Sequence, residues 1–162
     1  MEDLLLKKFG NAFKKRQKPF LKETMENEIK QAILKHIPTK DLSAFRLPDE
    51  YSELLNTFEG NLSRNLSDGT WWKLLCDYEG VLSDLDYEYK NAMECESLAV
   101  VLSTPIFIPV GAWSDKHTYF LSCDQHYEFG KVFDCYDDFF WNLPNTEGPV
   151  ADSIVDLLEN EF

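Results

Sequence analysis

Leu47-Pro48-Asp49-Glu50-Tyr51, running on to Gly60, and then Phe107-Ile108-Pro109-Val110-Gly111, Tyr119-Phe120-Leu121 and Gly130-Lys131-Val132-Phe133 decide the fold of this chain. Pro48 suits the first helical position, where its missing N–H costs nothing, and Asp49 and Glu50 suit the positive helix start. Gly60 suits a left-handed helix end. The three later runs are rich in β-branched and aromatic residues and are separated by Gly and Asp turns, as strands of an antiparallel sheet would be.

Upstream, Met25, Ile29, Ile33 and Ile37 recur at helical spacing after Thr24, an expected N-cap, and Pro38 closes the run. Tyr51, Leu54, Leu55 and Phe58 give the second helix a buried face. Trp71, Leu75, Tyr78, Leu82, Leu85, Tyr89 and Ala92 alternate steps of four and three residues, which predicts a helix from about Thr70 to Met93 with a break at Gly80. That stripe suits core packing better than an oligomer seam. Leu98, Val100 and Val101 are expected to open the sheet, with hairpin loops at Gly111 to Lys116 and at Asp124 to Gly130. Val150, Ile154, Val155 and Leu158 predict a closing helix on one sheet face. The expected fold class is α+β: a single domain over 1–162, an antiparallel β-sheet packed with N-terminal helices and a C-terminal helix, with 1–44 as a helical extension.

The order and spacing of the opening motifs resemble the SUKH superfamily, the Smi-one/Knr-four type. There an LPxxY helix precedes a strand reading I-P-I-G, an aromatic strand, a G-x-V strand and a closing helix. The likeness runs from Phe45 to Phe162. Two details depart from the pattern: Leu121-Ser122-Cys123-Asp124 stands where the family carries Leu-Asp, and Glu59-Gly60 stands where it carries Asn-Gly. The resemblance implies a non-catalytic immunity protein that binds and neutralises a bacterial polymorphic toxin, often a nuclease. A regulatory scaffold of the same family is the alternative.

Length and charge bound the partners. A chain of 162 residues buries about two-thirds of the surface its unfolded form exposes and needs no disulfide or metal to fold. Its hydrophobic content of 44% excludes disorder. The formal net charge of -13 repels nucleic acid and anionic membrane and speeds encounter with basic partners, although acidic surfaces also serve solubility alone. The expected partner is a basic protein domain. Leu4, Leu5, Leu6, Phe9 and Phe13 sit among Lys7, Lys8, Lys14, Lys15 and Arg16, an amphipathic segment too short to span a bilayer and best read as a packed terminal helix.

Cys76, Cys95, Cys123 and Cys135 lack C-x-x-C spacing, and His36, His117 and His126 fall at no zinc-ligand interval. No metal or cofactor is expected, and the cysteines read as small hydrophobes of a reducing cytoplasm. The chain carries no G-x-S-x-G, P-loop, H-E-x-x-H or dinucleotide loop, so no catalytic residue is assigned. A Cys123/His117 pair is conceivable only if the fold joins them. Acids and aromatics concentrate at Asp134, Asp137, Asp138, Phe139, Phe140 and Trp141, with Asp115, Asp124 and Glu128 in adjoining loops. Two readings stand: a solvated turn packed beneath the last helix, or an interface in which Asp115, Asp124, Asp137 and Asp138 surround a Trp141 anchor.

Overall fold

The computed structural model describes residues 1–9, 14–65, 67–75, 77–114, 116–136 and 139–160. The helix after Leu47 spans Asp49–Thr57 (α3), and Pro48 is its N-cap rather than its first residue, the Pro48 carbonyl accepting the Ser52 N–H at 2.9 Å. It ends before Gly60 because Phe58–Glu59 (β2) turns extended to pair with Lys14–Lys15 (β1); Gly60, at φ 84°, makes the turn that follows. Ahead of it lie α1 (Glu2–Phe9) and α2 (Lys22–His36). Thr24 falls inside the first turn of α2 and is not its N-cap, since the Leu21 carbonyl already takes the Met25 N–H.

The expected long helix from Thr70 is two elements. Trp71–Leu74 is a strand (β4), preceded by Leu62–Asn65 (β3), and the helix (α4) covers only Tyr78–Cys95. The steps of four and three that join Trp71 and Leu75 to Tyr78 conceal a period of two: Trp72 and Leu74 are buried while Trp71 and Lys73 are half-buried. Gly80 lies in the first turn of α4 and breaks nothing. Its buried face is Tyr78, Val81, Leu85, Tyr89 and Ala92.

Leu98–Ser103 is a helix (α5), not the first strand. The Ser97 hydroxyl caps its start and Lys40 its end: the buried Lys40 ammonium donates to the carbonyls of Val101 at 2.9 Å and Thr104 at 2.7 Å. A cation on the last carbonyls favours the helix over the strand preference of Val100 and Val101. Burial brings the Lys40 pKa down to about 8.

Phe107–Trp113 (β5), His117–Ser122 (β6) and Val132–Tyr136 (β7) complete an antiparallel sheet in the order β3-β4-β5-β6-β7. β5 runs past Gly111, so the first hairpin loop is shorter than expected; the second occupies 124–130 as expected. Gly111 follows a bulge at Pro109, and a Cβ there would sit 2.7 Å from the Lys73 carbonyl oxygen, too close for any side chain.

A 3-10 helix (Phe140–Asn145) and α6 (Ile154–Asn160) follow. Val150 lies outside α6 and is exposed; its N–H bonds to the Val132 carbonyl at 2.8 Å, while Ala151 accepts the Val132 N–H at 2.9 Å. The sheet is packed on both faces. Phe120 meets Phe140, and Tyr89 of α4 meets the same ring, at 5.5 and 4.9 Å between centroids. On the opposite face Leu121 lies beside Pro48 at the start of α3 and Ile154 of α6. Leu5, Met25, Ile29, Ile33, Ile37 and Leu42 belong to the same continuous core as the sheet. No helix among the described residues is long and apolar enough to cross a membrane.

Candidate functional site

His117 begins β6, and strand register sets Trp113 and Tyr136 directly across from it on either side. Their rings pack at 4.2 and 4.5 Å from the imidazole. Two pairs further along, opposite Tyr119, Asp134 reaches back diagonally and receives His117 Nδ1 at 2.7 and 2.9 Å. That contact holds the imidazole in one orientation. Tyr136 is 56% exposed, with the Lys116 ammonium 6.0 Å from its ring centre. The result is a fixed aromatic stack, backed by a carboxylate, at one end of the sheet.

Asp115, Asp137 and Asp138 lie outside the described residues; in sequence they adjoin Lys116 and Tyr136. Trp141 is 4% exposed and packed against Phe140, so it does not present an anchor. The exposed partner is Phe139, 43% accessible and stacked on Trp141 at 4.4 Å with ring planes 6° apart. A buried indole gives Phe139 a rigid seat.

Asp124 does not join this group. It lies just beyond the Ser122 end of β6, the opposite end from His117. There its carboxylate accepts the N–H groups of His126 at 2.9 Å and Ile106 at 3.3 Å, which shapes the loop. Cys123 is at that end too, so the fold forms no Cys123/His117 pair. Burial pushes its thiol pKa well up and keeps it protonated. Cys123 and Cys135 are buried, as small hydrophobes would be, while Cys95 is exposed; all three are free thiols. Cys76 lies outside the described residues.

Tyr136, His117 and Asp134 were not separable as a site in the sequence, because their contacts are cross-strand and depend on register. The one usable signal was the clustering of acids and aromatics after Val132. A stacked aromatic surface with adjoining carboxylates suits a Lys or Arg side chain, by cation–π attraction and ion pairing together. Among the described residues no group of three or more His, Cys, Asp and Glu could hold a metal ion.

Set against family models, curated proteins and solved structures, the chain matches none.

Proposed function

We propose that this protein is a non-catalytic, cytoplasmic immunity protein of SUKH type, which neutralises a basic toxin domain by covering its active surface. One observation carries the reading. The LPDEY helix Asp49–Thr57, the FIPVG strand Phe107–Trp113, the aromatic strand His117–Ser122, the GKV strand Val132–Tyr136 and a closing helix Ile154–Asn160 follow one another in the order that the motif resemblance implies. The net charge of -13 supports the choice of partner, since a nuclease presents cations to phosphate and an acidic protein competes for the same cations. The binding surface in this reading is the Trp113, His117, Tyr136 and Phe139 end of the sheet, with Asp115, Asp134, Asp137 and Asp138 supplying the field.

The test is co-expression with the toxin domain encoded beside its gene. Protection of the cells, with a one-to-one complex on purification, is expected. Absence of any neighbouring toxin gene, with a signalling protein co-purifying instead, replaces immunity by the scaffold role.

A further inference from the structure

The loop between β6 and β7 presents Phe129, 43% exposed, over a pocket of about 230 Å³ that the aromatic end of the sheet does not share. Its floor is apolar: Leu121 and Ile154 are 0% and 1% exposed, and Pro48 is buried. Asp49, Glu50 and Asp152 stand at its rim, and no Lys, Arg or His is among the described residues that line it. A second hollow of about 250 Å³ continues past Asp49 and Phe129 to Lys22, Arg46 and Gln125.

Phe129 is held, not loose. Gly130 N–H bonds to the Ser122 carbonyl, the Ser122 hydroxyl to the Tyr127 carbonyl and Lys131 N–H to the Glu128 carbonyl, at 2.9, 2.5 and 3.1 Å. Glu128 adopts φ 43°, a left-handed backbone that a non-glycine residue takes at a cost, and it directly precedes the aromatic ring.

We infer that this pocket anchors a segment of a partner protein that presents one bulky apolar side chain beside a lysine or arginine. The hollow above Leu121 and Ile154, about 230 Å³, takes a single bulky side chain. Charge selects what flanks it. Part of the rim charge serves the starts of α3 and α6, whose two helix ends supply about +1 together, and Lys22 answers Asp49; Lys131 is bonded more closely to Glu128, at 2.6 Å, which leaves Glu50 and Asp152 to attract a cation. Lys22 and Lys131 reach Asp49 and Asp152 at 2.5 and 3.6 Å, in exposed pairs that exchange readily for an incoming cation. Glu50 has no ion pair among the described residues. A preformed aromatic wall lowers the ordering cost of binding. This inference stands on the pocket and does not depend on the immunity reading.

The full chain, isotope-labelled, is titrated by amide NMR with three capped peptides: Lys-Leu-Lys, Lys-Ala-Lys and Glu-Leu-Glu. Lys-Leu-Lys is expected to shift the amides of Leu121, Phe129, Gly130 and Ile154, with binding at least fivefold tighter than either control. Phe129→Ala and Glu50→Lys should each weaken it at least fivefold; both positions are solvent-exposed, and should either variant fail to fold the other decides. Equal binding of the three peptides, or an unaltered response in the folded variant, overturns the inference. So does a concentration-dependent shift of the same amides without peptide, which would assign the pocket to a second copy of the chain.

Discussion

At the Ser122 end of β6 the sheet face meets the starts of α3 and α6, and Phe129 leans over the pocket they leave. At the His117 end the same face is covered by its own side chains, Trp113, His117 and Tyr136 in a row. Each end keeps an aromatic ring in reach of solvent, Phe129 at 43% and Tyr136 at 56% exposure. The means differ. Phe129 is positioned by main-chain hydrogen bonds of a tight loop, whereas Tyr136 is positioned by ring stacking and the His117 to Asp134 contact. Stability should therefore be concentrated at the first end, and tolerance of substitution at the second.

Leu121→Ala is the strongest way to break that contrast. Removing this fully buried side chain should cost about 2–5 kcal/mol by loss of burial and cavity formation, read by denaturant melts. A loss below about 0.5 kcal/mol would mean the covered end is not core.

Glu88, on α4 and outside both groups of residues, supplies a control. Burial, with Asp84 nearby, raises its pKa from 4.5 to about 7. The folded state therefore holds a proton that the unfolded state releases between those values, so stability falls as pH rises through that window. Glu88→Gln should abolish this slope and stabilise the protein by about 1–3 kcal/mol at neutral pH, from roughly 1.36 kcal/mol per unit discounted for partial solvation. Melts at pH 4.5 and 7.5 that differ equally in parent and variant would contradict the burial assigned to this residue.

Smaller effects belong to the open end. Asp134→Asn replaces a charged hydrogen bond by a neutral one and should cost about 1 kcal/mol. Tyr136→Ala should change stability by no more than about 0.5 kcal/mol. If Tyr136→Ala proves as costly as Leu121→Ala, the open end is structural and its role as a binding surface fails.

The sequence made the covered end legible and the open end only partly so. The Leu47 to Tyr51 motif, the three strand runs and the closing helix announce themselves through punctuation and period, and they build the Leu121 side. Trp71–Leu74 reads as helix because Trp71 and Leu75, four residues apart, imitate a helical step. Leu98–Ser103 reads as strand because nothing local in the sequence shows that Lys40, 58 residues before Leu98 in the chain, caps its end. At the open end composition marked the neighbourhood, but burial decided between Phe139 and Trp141, and only strand register could bring Asp134 to His117.

The proposal that a basic toxin domain is recognised at the His117 end of the sheet is tested most directly by association kinetics. The parent and the variant carrying Asp115→Asn, Asp137→Asn and Asp138→Asn together would be measured against whatever toxin domain the neighbouring genes encode, across a range of salt. The parent should associate fastest at low salt and slow steeply as salt screens the field, while the variant starts slower and responds less, with dissociation little changed. Equal rates for the two proteins at low salt would place the interface elsewhere and contradict the account.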